Sequence, residues 1–168
     1  MQNLSTENNY AFIDSQNLNL GVKALGWDLD FKKFRVYLKD KFGVTTAYLF
    51  LGFVPQNQSL YNNLQKYGYV IVFKPTIKDG NGKLKGNVDA DLVLQTMIDI
   101  NKFDKAIIVT SDGDFHCLVE YLFKNGKLKR VISPNQQKCS TILLKASRGN
   151  IDFVDNLKTK LEYKKRTP

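Results

Sequence analysis

The chain has 168 residues, of which 43% are hydrophobic, which is enough for one well-buried core and too short for two comfortable ones. Its 25 Lys and Arg outnumber 16 Asp and Glu, and the formal charge of +9 favours a polyanionic partner such as nucleic acid. Two isolated cysteines exclude a disulfide framework or a C-x-x-C metal site, and the polar residues 1–9 exclude a secretory signal. No apolar run reaches the ~20 residues of a membrane span, so we expect a cytoplasmic protein without a membrane partner.

Five short segments rich in β-branched and aromatic residues are predicted to be strands. They occupy residues 10–14, 45–51, 69–73, 105–110 and 130–133. Because these segments are apolar on both faces, they are typical of strands buried between two helical layers. A last apolar segment, residues 151–154, is suited to an additional edge strand.

Amphipathic stretches between the strands predict helices. They span residues 31–42, 58–67, 88–101, 115–125 and 141–146. Asn87 can cap the third of these helices, and Gly126 can end the fourth. The alternation predicts an α/β three-layer sandwich around a central, mostly parallel sheet of about five strands. We expect the first strand to lie between the second and the fourth.

One segment, residues 74–87, is predicted to be a mobile loop. It contains a proline, three glycines and four lysines, and it has too few apolar residues to pack. The segment leads directly into the helix that begins near Asp89, so its lysines can approach whatever that helix binds.

Several aspartates fall where strands end or helices begin. Asp14 ends the first strand, and Asp112 and Asp114 follow the fourth. If those strands are neighbours, the three carboxylates meet at one edge of the sheet. Asp89 can approach the same edge from the side, whereas Asp91 lies about 200° further round the helix.

Taken singly, these aspartates have ordinary structural explanations. Asp89 could be a helix cap, and residues 112–114 could be a simple turn. Taken together, three or four converging carboxylates repel one another, and a bound cation removes that repulsion. Oxygen ligands without Cys or His select Mg²⁺ or Mn²⁺ over Zn²⁺. His116, the only histidine, is more typical of the helix surface or of support behind the ligands.

Three short motifs resemble those of NYN-domain proteins, a branch of the PIN-like nucleases. Residues 14–17 (DSQN) resemble the D-x-x-N signature, and residues 85–89 (KGNVD) resemble the K-G-x-x-D helix entry. Residues 110–115 (TSDGDF) resemble the S-x-D-x-D-F motif, with Thr110 in place of the usual Ser. The motifs occur in the family's order, and the resemblance covers about residues 10 to 155.

The resemblance implies a PIN-like domain over residues 10–157, between a flexible N-terminus of residues 1–9 and a basic tail of residues 158–168. It also implies a ribonuclease dependent on Mg²⁺ or Mn²⁺, and pairing into homodimers is common in such domains. The resemblance assigns four aspartates as metal-binding and catalytic residues: Asp14, Asp89, Asp112 and Asp114. Asn17 would be an accessory polar group.

Further residues are candidates for substrate binding. Asn17 and Thr110 could donate hydrogen bonds to a phosphate oxygen. Lys78, Lys83 and Lys85 could fold over a bound strand, with Lys85 nearest to the carboxylates. These assignments predict that binding weakens sharply with salt.

Three alternative functions remain open. The first is a non-catalytic RNA-binding module of the same fold, with a vestigial or regulatory metal site, although all the expected carboxylates are present. The second is a phosphatase or phosphotransferase on a similar α/β frame, but Gln16 occupies the place of the second Asp in the D-x-D motif of haloacid-dehalogenase-like phosphatases. The third, dinucleotide binding, lacks a G-x-G-x-x-G motif after the first strand.

Overall fold

The structure, a computed structural model, describes residues 7–74, 77–82, 84–85 and 88–166. The predicted flexible N-terminus therefore lies largely outside the described residues. Within the described ranges, no helix combines the length and the apolar character that crossing a bilayer requires.

The core of the fold is a six-stranded parallel sheet. Its six strands are β1 (Asn9–Asp14), β2 (Val44–Gly52), β3 (Tyr69–Lys74), β6 (Ala106–Val109), β7 (Leu128–Ser133) and β8 (Ile151–Phe153), and their order across the sheet is β3-β2-β1-β6-β7-β8. Two short strands, β4 (Ile77–Lys78) and β5 (Leu84–Lys85), form a separate pair. The predicted α/β fold is confirmed, with the first strand between the second and fourth predicted strands. The apolar segment at residues 151–154 provides the sixth strand, β8, at the edge.

Seven α-helices occur among the described residues. They are α1 (Ser15–Lys23), α2 (Phe31–Phe42), α3 (Gln58–Lys66), α4 (Asp89–Ile98), α5 (His116–Lys124), α6 (Thr141–Ser147) and α7 (Lys158–Leu161). The five predicted helices correspond to α2–α6. Gly126 follows α5 with a φ of +66°, as expected of a helix stop. The predicted cap Asn87 lies outside the described residues.

Helix α1 was absent from the prediction. Its sequence, SQNLNLGVK, contains two Asn and one Gly, which have low helix propensity. The Asp14 side chain caps its first turn, and Leu18 and Val22 are buried on one face. A Cβ on Gly21 would lie 2.7 Å from Cβ of Pro134, so the glycine permits close packing. Tertiary contacts and the cap therefore stabilise a helix that local propensity disfavours.

The prediction of a loop without secondary structure at residues 74–87 was wrong in part. Strands β4 and β5 pair antiparallel within it, with Ile77 opposite Lys85. The turn between them contains hydrogen bonds from the Gly82 amide to the Asp79 carbonyl (2.9 Å) and from the Asn81 amide to the Asp79 side chain (3.0 Å). Asp-Gly and Asn-Gly pairs are strong hairpin signals, and here they outweigh the low apolar content.

Helices cover both faces of the sheet. On one face, Ala11 and Ile13 of β1 belong to a core cluster that includes residues of α1, α2, α3 and α7. On the other face, Phe12 belongs to a cluster that includes residues of α4, α5 and α6. This alternation along β1 is what the two-residue period of a strand requires of a sheet buried on both sides.

The strand order reverses between β1 and β6. The chain proceeds from β1 outward through β2 and β3, and then returns across the sheet through α4 to β6 on the other side of β1. Ile13 is paired with Val109, so the residues that follow these two strands emerge side by side. In open parallel sheets such a switch point forms a crevice at the carboxyl ends of the strands.

Candidate metal centre

Three carboxylates converge at this switch point. One carboxylate oxygen from each of Asp89, Asp112 and Asp114 lies within 4.8 Å of the others. Asp89 begins α4, whereas Asp112 caps the short turn after β6 by accepting a hydrogen bond from the Asp114 amide (2.9 Å). The turn and the helix start therefore bring together residues more than twenty positions apart.

Asp14 lies beside these three residues, at the end of β1. It is 5% exposed, and it lines a cavity of about 400 Å³ together with the other three aspartates. One carboxylate oxygen accepts a hydrogen bond from the Asn17 amide (3.2 Å), and the other accepts one from the Thr110 hydroxyl (3.5 Å). Burial chiefly, and then the charges of Asp89 and Asp112, raise the pKa of Asp14 to about 6.

The side chains at this edge suit a divalent cation. Asp14, Asp112 and Asp114 make no ion pair with any described Lys or Arg, although the chain is strongly basic. Their donor atoms are carboxylate oxygens, which Mg²⁺ and Mn²⁺ prefer. A cation would also offset the mutual repulsion that helps to raise the pKa of Asp14. The acidic cluster is therefore compatible with a divalent metal site.

Asn17 and Thr110 hold the carboxylates in place. Oδ1 of Asn17 accepts hydrogen bonds from the amide (2.8 Å) and the hydroxyl (3.0 Å) of Ser111, which connects α1 to the segment after β6. Oγ1 of Thr110 accepts a hydrogen bond from the Asp112 amide (3.1 Å) and donates to Asp14. Their predicted contact with substrate stays a prediction.

Of the three predicted lysine contacts, the structure describes the side chain of Lys78. Lys78 is exposed on β4 and is absent from the described lining of the carboxylate cavity. The backbone of Lys85, in β5, pairs with that of Ile77 in β4, and Lys83 lies outside the described residues. The substrate-binding role of these lysines stays a prediction.

The carboxylate cavity also has walls that sequence reasoning missed. Gln16, Leu20 and Val88 line it, and Leu20 is 56% exposed. Leu20 belongs to α1, so recognising that helix from the spacing of its buried apolar residues would have placed Leu20 near Asp14. Asp91, predicted to point elsewhere, is not a member of the acidic cluster.

A polar cavity adjoins the cluster on one side and shares Asp112 and Asp114 with it. Lys138, His116 and Ser140 contribute to its lining. Nδ1 of His116 lies 2.9 Å from the carbonyl oxygen of Gly113, so the ring braces the turn that carries the two aspartates. Nothing in the sequence near Lys138 indicated that it would lie near the carboxylates.

Comparisons with known proteins agree with this architecture. The profile of the NYN domain matches residues 10–155. A crystal structure of a protein of unknown function from Vibrio parahaemolyticus has a TM-score of 0.78 and 23% identity, over 96% of this chain and 99% of its own. A PLP-bound protein of Clostridium difficile, classed as an aminotransferase, is 10% identical with a TM-score of 0.36, over 86% and 45% of the two chains. The similarity to the latter is too low to indicate a shared fold. The search of curated proteins found no match.

Proposed function

Since this chain belongs to the NYN-domain family of PIN-like proteins, we propose that it is a divalent-metal-dependent nuclease that hydrolyses phosphodiester bonds, in RNA rather than in DNA. One observation carries the proposal. The carboxylates of Asp89, Asp112 and Asp114 share one small region next to the buried Asp14, without a described lysine or arginine paired to Asp14, Asp112 or Asp114.

The four aspartates would bind the ion from different structural elements. Asp14 is fixed by a central strand and by two hydrogen bonds, and Asp112 is fixed by its capping of the turn. Asp89 and Asp114 complete the set from the neighbouring helix and turn. When bound, Mg²⁺ or Mn²⁺ supplies a water of lowered pKa and offsets charge on the leaving oxygen.

Water must be placed in line with the scissile bond, and the rigidity of the cluster serves that need. Asn17 and Ser111 connect α1 to the segment after β6, so the two sides of the crevice cannot separate without breaking these bonds. The net charge of +9 supports a polyanionic substrate, because the lysines outside the cluster can contact its phosphates.

The test is incubation with labelled single-stranded RNA, and with DNA of the same sequence, in Mn²⁺, Mg²⁺ or EDTA. We expect RNA cleavage that EDTA stops. The variant Asp112→Asn should lose activity by about 100-fold or more, because it removes a charged ligand, while its circular dichroism stays that of the parent. Asp91→Asn, which removes the same charge outside the cluster, is the matched control and should cleave normally.

Three other outcomes contradict the proposal. Cleavage by Asp112→Asn at the parent rate, with contaminating nuclease excluded, removes the cluster from the reaction. Retention of RNA without cleavage in any metal favours a binding module. Release of phosphate from a generic ester, without cutting of either strand, favours a phosphatase.

A further inference from the structure

A second cavity, of about 490 Å³, adjoins the carboxylate cavity and has no wall residue in common with the polar one. The two share Gln16 and Val88 as wall residues. Resting on the proposed function, we propose that this cavity, the base pocket, holds an unpaired nucleobase of the strand whose phosphate lies at the carboxylates. The enzyme would then select single-stranded substrate.

The base pocket has an apolar wall that is open to solvent. Leu60 at the start of α3 is 48% exposed, Val54 is 36% exposed, and Phe31 is half-buried on the adjoining wall. Exposed apolar side chains around a concavity are typical of a ligand site, because a bound ligand covers them and removes their apolar surface from water. A nucleobase has two flat faces of limited polarity, so it can cover such a wall without losing hydrogen bonds at its edge.

Polar groups sit at the margin of the same pocket. Asn19 of α1 and Asn57 before α3 each offer an amide that can donate and accept. In the described part of the chain, neither amide side chain makes a hydrogen bond. Lys74, at the end of β3, adds a cation to the lining. An apolar wall with a few amides at its edge matches the two chemical parts of a nucleobase.

The position of the pocket identifies which part of the substrate it takes. A base is joined to its phosphate through one sugar, so a pocket that shares walls with the carboxylate cavity lies where the next base must go. The polar cavity, which shares Asp112 and Asp114 with the carboxylate cavity and is also lined by Lys138 and Ser140, instead suits the sugar–phosphate chain. A base paired within a duplex cannot enter a side pocket, so the geometry selects unpaired strands.

The test compares three labelled probes by fluorescence anisotropy, with Ca²⁺ in place of Mn²⁺ to slow cleavage. The probes are a short single-stranded RNA, the same chain without bases, and the RNA annealed to its complement. The parent should bind the single strand about tenfold more tightly than either other probe. Leu60→Ala should weaken single-strand binding roughly fivefold and leave the abasic probe unchanged, because it removes apolar contact only.

Two further variants distinguish a specific loss of contact in the base pocket from general damage to the fold. Leu94→Ala changes another exposed leucine, on α4 and outside all three cavities, and should bind all probes like the parent. Asn57→Ala removes an exposed amide that makes no capping hydrogen bond to α3, so it should weaken binding of the single strand alone and test the pocket through a second side chain.

The outcomes distinguish this inference from the proposed function. If the parent cleaves RNA but binds the abasic and normal strands alike, or if Leu60→Ala weakens both equally, the base pocket is wrong and the nuclease assignment stands. If the parent neither binds nor cleaves any of the strands, the nuclease assignment fails and the base pocket fails with it.

Discussion

At Asp14 the fold buries a carboxylate that the proposed metal site needs in its charged form. It is buried at the end of a central strand, and burial first, followed by its acidic neighbours, raises its pKa to about 6 from 3.8. Between pH 4 and pH 6 the folded protein holds a proton that the unfolded chain releases. The free energy of unfolding contributed by Asp14 is therefore greatest below pH 4, falls as the pH rises to 6, and stays low above that.

The variant Asp14→Asn should remove this pH dependence in the metal-free protein. At pH 7.5 in EDTA it should be more stable than the parent, and near pH 4 the advantage should vanish, a change of up to roughly 3 kcal/mol. Urea denaturation at the two pH values measures the difference. Asp91→Asn is the control for charge. Equal stability differences at both pH values would mean that burial does not perturb Asp14 in this way.

At the scale of elements, apolar segments made the sheet predictable, because strands buried on both faces must be continuously apolar. Helix α1 was not predictable from propensity, since Asp14 and long-range packing stabilise it. The hairpin of β4 and β5 depends on turn residues rather than on apolar content. The same difference holds for the site. The positions of Asp14 and Asp112 at strand ends could be predicted from the sequence, whereas the positions of Lys138 and of the base pocket depend on how separate elements pack.

The turn between Asp112 and Asp114 gives a prediction at this scale. A Cβ on Gly113 would lie 2.7 Å from Cγ2 of Ile142 and would also crowd the hydroxyl of Ser140. Gly113→Ala should therefore shift the turn, cost about 1–2 kcal/mol of stability, and reduce the rise in melting temperature that Mn²⁺ produces in the parent.

Gly80→Ala is the control for this substitution, because an added Cβ there meets nothing within 4 Å. It should show the parent's full response to Mn²⁺. Thermal melting over a Mn²⁺ titration measures both variants. An undiminished Mn²⁺ response in Gly113→Ala would mean that the close packing of this turn does not position the carboxylates.

At the scale of the whole molecule, an acidic cluster lies at the carboxyl edge of the sheet of a strongly basic chain. The carboxylate cavity shares wall residues with both the polar cavity and the base pocket, and the chain as a whole carries +9. A phosphate chain is repelled by the aspartates themselves, so cations elsewhere must hold it while a metal ion neutralises the centre. The segment that precedes Asp89 is rich in lysine, and along the sequence it is the nearest source of cations that could bind the phosphates.

The salt dependence of RNA binding tests which lysines serve that role. The triple variant Lys78→Gln, Lys83→Gln, Lys85→Gln should flatten the slope of log binding constant against log salt concentration by up to about 2, at roughly 0.7 per lost phosphate contact on a single strand. Fluorescence anisotropy between low and moderate salt measures the slope, again with Ca²⁺ to slow cleavage.

The matched control removes three charges from the opposite edge of the sheet. Lys39, Lys66 and Lys124 lie in the last turns of α2, α3 and α5, which end where β2, β3 and β7 begin. Changing these three to Gln lowers the net charge equally but leaves the carboxyl edge intact. If both triple variants flatten the slope alike, net charge alone attracts the RNA. If only the variant in the segment before Asp89 does so, those lysines contact the phosphates directly.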